Sequence, residues 1–301
     1  MVVSERGAPA IPAAVADLGL ANRSRRSLWR FVSRYRVLSL FIAIFILLVL
    51  VAIFADALTT YNPIKTNTKA LLLGPSGKHW LGTDNLGRDT YSRVVKGAQI
   101  SMRVAVIAVS ISLAVGIVMG LMAGYFGGLA DLLCARYIDA QLAFPGILLA
   151  IAIVSALGPG LNHAMIAVGI LGVPLYFRLT RGQVLQAKEL EYVRAAEVIG
   201  ASRWRIIFRH ILPNIANPLI VAASLAGGNA ILALAALSFL GIAGQPPTPD
   251  WGAMITIGKD YLQNNMWMAI GPGVAIFLTV FTYYILGDAL RDYLDPRLKG
   301  R

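Results

Sequence analysis

Long runs without Asp, Glu, Lys or Arg dominate the chain and are separated by shorter charged segments. They lie at Val37–Ala55, Val104–Ala130, Ala140–Phe177, Ile211–Pro249 and Tyr261–Gly287. A helix needs about 18 to 20 apolar residues to cross the hydrocarbon core of a bilayer. The pattern therefore predicts an all-α polytopic membrane protein.

Two of these runs are longer than a single passage requires. Ala140–Phe177 holds 38 residues, whereas a helix rising about 1.5 Å per residue crosses roughly 30 Å of hydrocarbon in about 20 residues. We expect Gly158-Pro159-Gly160 to divide it into two spans. Ile211–Pro249 counts once, because its proline-rich end cannot be helical and a division at Gly227-Gly228 leaves halves too short to span. The chain is thus predicted to have six transmembrane helices.

The second span carries Gly116, Gly120 and Gly124 at a spacing of four residues. Small residues at this spacing lie on one face of a helix and let another helix approach closely. We therefore expect a close helix–helix contact along this face.

The positions of the basic residues predict the orientation of the spans. Cytoplasmic segments of membrane proteins are enriched in Lys and Arg, and an arrangement with both termini inside places 19 of the 27 basic residues in the cytoplasm. We therefore predict an N-in/C-in topology. The predicted segments are a basic cytoplasmic tail at 1–36, an uncleaved anchor at 37–58, an extracytoplasmic or interfacial segment at 59–100 and a core of five spans at 101–301. Within the third of these, Gly87–Lys96 is predicted to be an amphipathic helix at the membrane surface.

The composition excludes several other classes of protein. Hydrophobic residues make up 57% of the 301 residues and charged residues only 14%, too few to cover the surface of a soluble enzyme. The single cysteine, Cys134, excludes an intramolecular disulfide and a cysteine-based metal cluster. The net charge of +12 is explained by the cytoplasmic loops and tail, so nucleic acid is not needed as a partner.

The segment at 178–213 is a long charged loop on the predicted cytoplasmic side. Its apolar residues repeat with helical spacing on either side of Gly200, first at Tyr192, Ala195, Ala196 and Ile199, then at Trp204, Ile207, Phe208 and Ile211. This pattern predicts a helix-turn-helix outside the membrane, with a slim first helix shaped to fit a groove on a partner. The alternative is an amphipathic loop lying on the lipid of the inner leaflet.

The landmarks Arg194-Ala195-Ala196, Gly200 and Ile211-Leu212-Pro213 resemble the EAA loop of the membrane subunits of ATP-binding-cassette (ABC) importers. Two positions depart from that pattern, because Arg194 stands where the family has Glu and His210 where it has Ile. Six further strings, in order, resemble the C-type permease subunit of the dipeptide, oligopeptide, nickel and glutathione importers. They are Leu81–Asp89, Ala123–Gly128, Phe144–Ala150, Leu237–Gly241, Gln245–Gly252 and Gly287–Asp292.

This resemblance implies a non-catalytic permease of the bacterial inner membrane that binds no cofactor itself. It also implies a second (B-type) permease subunit, one or two ATPases that bind ATP and Mg²⁺, and an extracytoplasmic substrate-binding protein. The 178–213 loop would couple transport to the ATPase through Ala195, Ala196 and Gly200, with polar contacts from Glu197, Arg203 and Arg205, inside a segment that includes Tyr192 and Pro213. Dipeptides, oligopeptides, glutathione, nickel chelates and opines all stay open as substrates.

A proton- or ion-coupled secondary transporter is the main alternative, and it requires ionisable groups inside the membrane. The candidates are Asp139 and His163, but Arg136 lies three residues before Asp139, which predicts a structural ion pair.

The segment Gly74–His79 lacks the spacing of a phosphate-binding loop. The spans also lack the motifs of an intramembrane hydrolase. Ser224 and Asn229 are candidate pathway residues, or else contacts between helices.

Overall fold

The computed structural model describes residues 36 to 294, which form helices joined by turns and loops, without a β-strand in this range. The predicted basic tail up to residue 35 and the last seven residues lie outside the described range. The longer helices are α1 (Arg36–Ile53), α2 (Thr90–Phe126), α3 (Gly128–Leu142), α4 (Gly146–Leu157), α5 (Leu161–Ala187), α6 (Glu191–Val198), α7 (Ala216–Phe239), α8 (Trp251–Gly258) and α9 (Trp267–Leu294).

Shorter helical turns connect these elements. They are α-helical turns at Ala55–Leu58 and Arg203–Arg205, 3₁₀ turns at Thr68–Ala70 and Lys259–Tyr261, and a π-helix at Ile206–Ile211.

Four helices, α2, α5, α7 and α9, are long and apolar enough to cross a membrane, and α3 with α4 forms a fifth, bent candidate. The apolar part of α1, Val37–Ile53, is shorter. The predicted division at Gly158-Pro159-Gly160 is confirmed, since α4 ends before it and α5 begins after it. The single span across Gly227-Gly228 is also confirmed, because α7 continues through both glycines.

The third span differs from the prediction. It was expected to begin at Ala140, but helix α3 already begins at Gly128, and the chain breaks again at Ala143–Pro145 before α4. The axes of α3 and α4 meet at 97°. The physical reason is Pro145, which has no backbone N–H to donate and disfavours a helical conformation in the residue before it.

The predicted helix at Gly87–Lys96 is confirmed only from Thr90 onward, and it is not a separate element. Thr90 to Lys96 are the first residues of α2, which begins where the Asp89 carboxylate accepts a 2.8 Å hydrogen bond from the Ser92 amide. Arg93 is buried in this first turn, where its guanidinium lies 3.6 Å from the Asp84 carboxylate. The charge of Arg93 thus has a partner inside the protein.

The glycine ladder of α2 packs against α5, as the sequence predicts. A Cβ at Gly116 would lie 2.6 Å from Tyr176 Cβ, one at Gly120 2.6 Å from Thr180 Cβ, and one at Gly124 2.8 Å from Val184 Cβ. All three distances are too short for real atoms, so only glycine allows this approach. The contact is reciprocal, since Gly169 of α5 lies against Ile111 of α2.

The predicted extracytoplasmic segment is tied to the helices by buried polar contacts. Asp84 pairs with Arg88 at 2.6 Å, and His79 lies 2.8 Å from Asp89. The Asn265 amide, just before α9, donates hydrogen bonds of 3.0 Å to the carbonyls of both Leu73 and Thr83. Because an unpaired buried polar group is costly, these contacts hold the segment in one conformation.

Candidate functional site

The loop between α5 and α7 contains the predicted helix-turn-helix. Its first helix is α6, and the turn follows at Gly200, whose φ of +77° lies in the left-handed region that glycine adopts without strain. The second helical piece differs from a regular α-helix, because Ile206–Ile211 is a π-helix in which the Leu212 amide donates to the Ile207 carbonyl at 2.8 Å. The wider π turn suits buried side chains spaced by four and five residues.

One side of this loop packs on the helix bundle. Val193 and Ala196 of α6 and the isoleucines of the π-helix are buried in one cluster with residues of α2 and α5. The bundle residues of that cluster are Leu121, Tyr176, Val184 and Ala187. The loop is therefore attached to α2 and α5 by a continuous apolar contact.

The other side of the loop is apolar and uncovered. Val198 is 87% exposed, Ile199 83%, Trp204 54% and Phe208 56%. The rings of Trp204 and Phe208 stack with centroids 5.9 Å apart, and Trp204 contacts Phe126 at the end of α2 at the same distance. We call these four residues the outer apolar surface of the loop. Exposed apolar patches of this kind occur at contact sites for another protein or for a membrane.

The structure places the predicted coupling residues on both sides of the loop. Ala195 and Gly200 are exposed, whereas Ala196 is only 5% exposed. Ala196 therefore contacts the bundle of its own chain, which does not fit the expectation that it is among the closest contacts to a partner. The remaining predicted residues are all exposed or partly exposed, namely Tyr192, Glu197, Arg203, Arg205 and Pro213.

The sequence pattern missed Val198 as a contact residue, because helical periodicity grouped Ile199 with Ala196 on one face. In the structure, Val193 takes the buried position instead and α6 ends at Val198. The available signal was the Val198-Ile199-Gly200 string itself, two large apolar residues directly before a turn.

A polar cavity of about 490 Å³ lies at the base of the loop, beside the outer apolar surface. Arg194 pairs with Glu189 at 2.5 Å, and the Tyr125 hydroxyl donates to Glu197 at 3.5 Å. The cavity is lined by Tyr125, Phe126, Lys188, Glu189, Arg194, Glu197 and Arg203. The charged side chains thus surround the end of α2 and leave the apolar residues to face outward.

The predicted ion pair between Arg136 and Asp139 is not formed. Asp139 instead lies 3.9 Å from Arg178 of α5. Arg136 and Asp139 are three residues apart on one helix, a spacing at which side chains can pair. In the structure the carboxylate of Asp139 lies near Arg178 of the neighbouring helix α5 instead. His163, the other titratable candidate in the spans, contacts the Gly158 carbonyl at 2.8 Å within the turn before α5.

The two candidate pathway residues lie on α7 in different surroundings. The Ser224 hydroxyl donates to the Val221 carbonyl of its own helix at 2.7 Å. Asn229 is exposed near the middle of α7, and its side-chain oxygen accepts a 2.6 Å hydrogen bond from the Tyr284 hydroxyl of α9. Asn229 therefore joins two helices and also presents a polar amide to the outside of this chain.

The described residues contain no group of three or more His, Cys, Asp or Glu side chains able to hold a metal ion.

Comparisons with known proteins identify close relatives. The dipeptide transport system permease protein DppC of Alkalihalophilus pseudofirmus is 47% identical over 252 residues, which cover 84% of this chain and 83% of that protein. The probable D,D-dipeptide transport system permease protein DdpC of Escherichia coli strain K12 is 43% identical, covering 86% of this chain and 87% of that protein. The glutathione transport system permease protein GsiD of Pectobacterium atrosepticum is 42% identical, covering 91% of this chain and 92% of that protein.

A solved structure shares the fold. An inward-facing conformation of the MetNI methionine ABC transporter matches with a TM-score of 0.54 at 17% identity, covering 67% of this chain and 96% of that chain. At this identity the match shows the fold of the covered part alone. Residues 116–300 in turn match the family described as binding-protein-dependent transport system inner membrane component. With the apolar helices, the relatives and this match in agreement, the chain belongs to the family of inner-membrane components of binding-protein-dependent transport systems.

Proposed function

We propose that this chain is the membrane-spanning permease subunit of an ABC importer for peptides or a related small solute. It forms half of the translocation pathway and couples that pathway to ATP hydrolysis by separate ATPase subunits. The single observation that carries this proposal is the outer apolar surface of the α5–α7 loop. The peptide class rests on the relatives, whose names state dipeptide, D,D-dipeptide and glutathione transport.

The outer apolar surface fits a protein partner better than lipid. Val198 and Ile199 flank a tight turn at Gly200, and the stacked Trp204 and Phe208 offer the large, rigid side chains that dominate protein interfaces. The buried side of the same loop packs on α2 and α5. A force applied by an ATPase to the exposed side is therefore passed to these two helices as a rigid-body movement.

The proposed complex contains this chain, a second permease subunit, one or two ATPases that bind ATP and Mg²⁺, and an extracytoplasmic substrate-binding protein. This chain itself needs no cofactor and performs no chemistry. In support, Gly74–His79 lies in the loop before α2 and is not preceded by a strand, so it does not have the setting of a phosphate-binding loop.

The proposed topology has six spans with both termini in the cytoplasm. In support, Val37–Ile53 gives α1 about 26 Å of apolar helix at 1.5 Å per residue, and the bent pair α3–α4 counts as one span. Fusions of alkaline phosphatase and of a fluorescent protein at residues 75, 200 and 301 test this arrangement. We expect phosphatase activity only at the first site and fluorescence only at the other two.

Proton coupling is the weaker alternative, because both titratable candidates have structural contacts. The exposed side chains of Asp139 and Arg178 lie 3.9 Å apart, and the His163 ring contacts the Gly158 carbonyl in the turn before α5. We propose that Asn229, with Ser224 in a lesser part, faces the pathway, since an exposed amide within a span is costly against lipid.

The experiment that tests the proposed function is a copurification of the tagged chain in mild detergent, with uptake measured in proteoliposomes. The variant Val198→Glu with Ile199→Glu places two charges on the outer apolar surface. We expect it to insert normally and retain the second permease, but to lose the ATPases and dipeptide uptake.

Leu262→Glu is the matched control, because Leu262 is an exposed leucine that the proposed topology places on the extracytoplasmic side. It should leave ATPase copurification unchanged. Full ATPase recovery and uptake in the double Glu variant would contradict the coupling role, and uptake by the chain alone would favour a secondary transporter.

A further inference from the structure

The segment that leads into α2 carries more positive charge than the proposed topology explains. Residues 59–100 contain six Lys or Arg, whereas segments outside the cytoplasm are usually poor in these residues. The inference drawn from this excess rests on the proposed function and its topology, because it names the surface chemistry of one partner of the permease.

Three of the six basic residues are used within the fold. Arg88 pairs with Asp84 at 2.6 Å, and Lys96 pairs with Asp56 at the same distance. The buried guanidinium of Arg93 lies 3.6 Å from the Asp84 carboxylate. These three charges therefore hold the segment to α2 and to the end of α1.

The other three basic residues are exposed, and none of them forms an ion pair within the described part of the chain. They are Lys65, Lys69 and Lys78. The stretch 57–83 contains no Asp or Glu, and the two carboxylates that follow it, Asp84 and Asp89, are buried. The three ammonium groups are therefore free to attract a negatively charged partner.

Large apolar side chains are exposed beside these lysines in the same segment. They are Ile64, Leu71, Leu73, Trp80 and Leu86, each between 42% and 59% exposed. We call these five residues and the three lysines the basic outer face. Apolar side chains rimmed by charge occur where a protein contacts another protein or a membrane.

The basic outer face lies well beyond the lipid. Following α2 and α5 outward from the contact of Gly116 with Tyr176 places Leu161, the first residue of α5, within two residues of the level of Arg103. Arg103 is exposed, and the apolar run of α2 begins directly after it. Helix α2 begins 13 residues earlier at Thr90, about 20 Å further out.

The segment is attached at this outer end of α2. The Tyr61 amide donates to the Ser92 hydroxyl at 3.1 Å, and the Asn67 amide donates to the Leu86 carbonyl at 3.0 Å. Salt screens charges beyond about 8 Å at physiological ionic strength. The lysines therefore interact weakly with anionic headgroups, which favours a protein partner over lipid.

A polar cavity of about 400 Å³ opens within this face. Its lining includes Lys65, His79 and the buried Asp89. Asp89 is fully occupied, because one carboxylate oxygen lies 2.8 Å from His79 Nδ1 and the other accepts hydrogen bonds from the amide and the hydroxyl of Ser92. The Lys65 ammonium and His79 Nε2 have no partner within the described residues, so both are available to a carboxylate that enters the cavity.

We propose that the basic outer face binds an acidic protein surface, which in the importer is the contact face of the extracytoplasmic substrate-binding protein. One carboxylate of that protein enters the cavity beside Lys65 and His79. The buried contacts of Asp84 and Asn265 hold the face in one conformation, so docking orders little of this chain. Unpaired lysines also raise the rate of encounter with an acidic partner.

The test uses the assembled transporter in nanodiscs of phosphatidylcholine alone. Copurification of the ATPases is measured first, because its failure concerns the proposed function and not this face. Binding of the purified substrate-binding protein of the same transporter is then measured by biolayer interferometry at low and at physiological ionic strength. The variant combines Lys65→Glu, Lys69→Glu and Lys78→Glu.

We expect the triple Glu variant to keep its ATPases and to raise the Kd for the binding protein at least about tenfold at physiological salt. Affinity of the unmodified complex should fall as salt rises, and this dependence should be weaker in the triple Gln variant. In proteoliposomes, dipeptide uptake by the triple Glu variant should need more binding protein for half-saturation while its maximal rate is retained.

Two controls separate this face from a general effect of charge. Arg at all three lysine positions keeps the charge, so the Kd should stay within about twofold. Lys259→Glu reverses an exposed lysine in the turn after α8, outside the basic outer face, and should also leave the Kd unchanged.

Three results would overturn the proposal. One is an unchanged Kd in the triple Glu variant, and another is an equal loss in Lys259→Glu. The third is normal binding in phosphatidylcholine nanodiscs with uptake lost only in vesicles that contain phosphatidylglycerol, which would mean that the lysines contact lipid. In each case retained ATPase copurification would leave the proposed permease function in place.

Discussion

The Asp131 carboxylate accepts two hydrogen bonds of 2.6 Å from the Arg181 guanidinium, one from Nε and one from Nη2. This bidentate ion pair joins the beginning of α3 to the last part of α5, six residues before α5 ends at Ala187. Paired donors on a planar guanidinium fix the relative orientation of the two helices as well as their distance. The two ends of the bent α3–α4 span are thus held to α5 in different ways. The beginning of α3 is held by this ion pair, and the end of α4 is joined to α5 by the short turn at Gly158-Pro159-Gly160.

Loss of this pair is expected to weaken transport more than assembly. Because both side chains are partly exposed, Asp131→Asn should cost roughly 1 kcal/mol or less of stability. It should, however, loosen α3 from the helix that carries the loop. We expect uptake in proteoliposomes to fall severalfold while ATPase copurification is retained.

The exchanged pair, Asp131→Arg with Arg181→Asp, should recover part of the lost uptake. Asp139→Asn serves as the control, since it removes only the 3.9 Å contact with Arg178. An equal loss of uptake in Asp139→Asn would mean that the effect is not specific to the Asp131–Arg181 pair.

The approach of α2 to α5 should not tolerate a side chain at Gly120. A Cβ there would lie 2.6 Å from Thr180 Cβ and 2.9 Å from the Phe177 carbonyl oxygen. We expect Gly120→Leu to destabilise the protein by roughly 1–3 kcal/mol or more, the range for overpacked sites. The measurement is thermal unfolding in detergent, followed by size-exclusion chromatography.

Gly182→Ala is the companion variant, because nothing lies within 4 Å of a Cβ at this helical position. Alanine is a better helix former than glycine, so the midpoint of thermal unfolding should stay the same or rise slightly. A Gly120→Leu protein as stable as this control would contradict the packing.

Arg194→Glu restores the residue of the importer pattern and is expected to be tolerated. The change removes the ion pair with Glu189 and brings two carboxylates together, but both side chains are well exposed and their repulsion is screened. Uptake should stay within about twofold of the unmodified chain at physiological salt. Severe loss of ATPase copurification would mean that the partner ATPase requires the arginine.

Burial of Asp250 predicts a pH-dependent stability. Asp250 caps α8 through a 3.0 Å hydrogen bond from the Ala253 amide, and burial raises the pKa of its carboxyl above the ordinary value despite that bond. Folding therefore favours the protonated form. The stabilisation is fully present below the unfolded-state pKa of about 3.9 and is lost as the pH rises through the folded-state pKa.

Asp250→Asn keeps the capping oxygen and removes the buried charge. We expect the fall in thermal midpoint between pH 4 and pH 7 to be smaller in this variant than in the unmodified chain. Asp260→Asn, at an exposed site in the following turn, provides the control. Identical pH profiles for Asp250→Asn and the unmodified chain would show that Asp250 does not determine this dependence.

Several features followed directly from local sequence because their causes are local. The turn at Gly200, the division at Gly158-Pro159-Gly160 and the glycine face of α2 each depend on the backbone freedom or small size of a few neighbouring residues. The long apolar runs likewise predicted the spanning helices without reference to their neighbours.

Other features depended on residues far apart in the chain. Asp139 lies near Arg178 of α5 rather than pairing with Arg136 of its own helix. In the α5–α7 loop, helical spacing located the apolar residues but did not assign them to the buried or the exposed side. That assignment came from the contact of Val193 and Ala196 with the bundle.

The sequence by itself therefore determined the class of the protein, its spanning helices, the charged loop and the resemblance to importer permeases. Hydrophobicity, helix length and short motifs are properties of single segments, so they can be read without a partner. Only the tertiary structure decided which side of the loop is uncovered, that α3 and α4 meet at 97° at mid-span, and that Asp131 binds Arg181. These depend on where α2, α5 and α7 place their side chains, because burial and ion pairing are properties of contacts between segments.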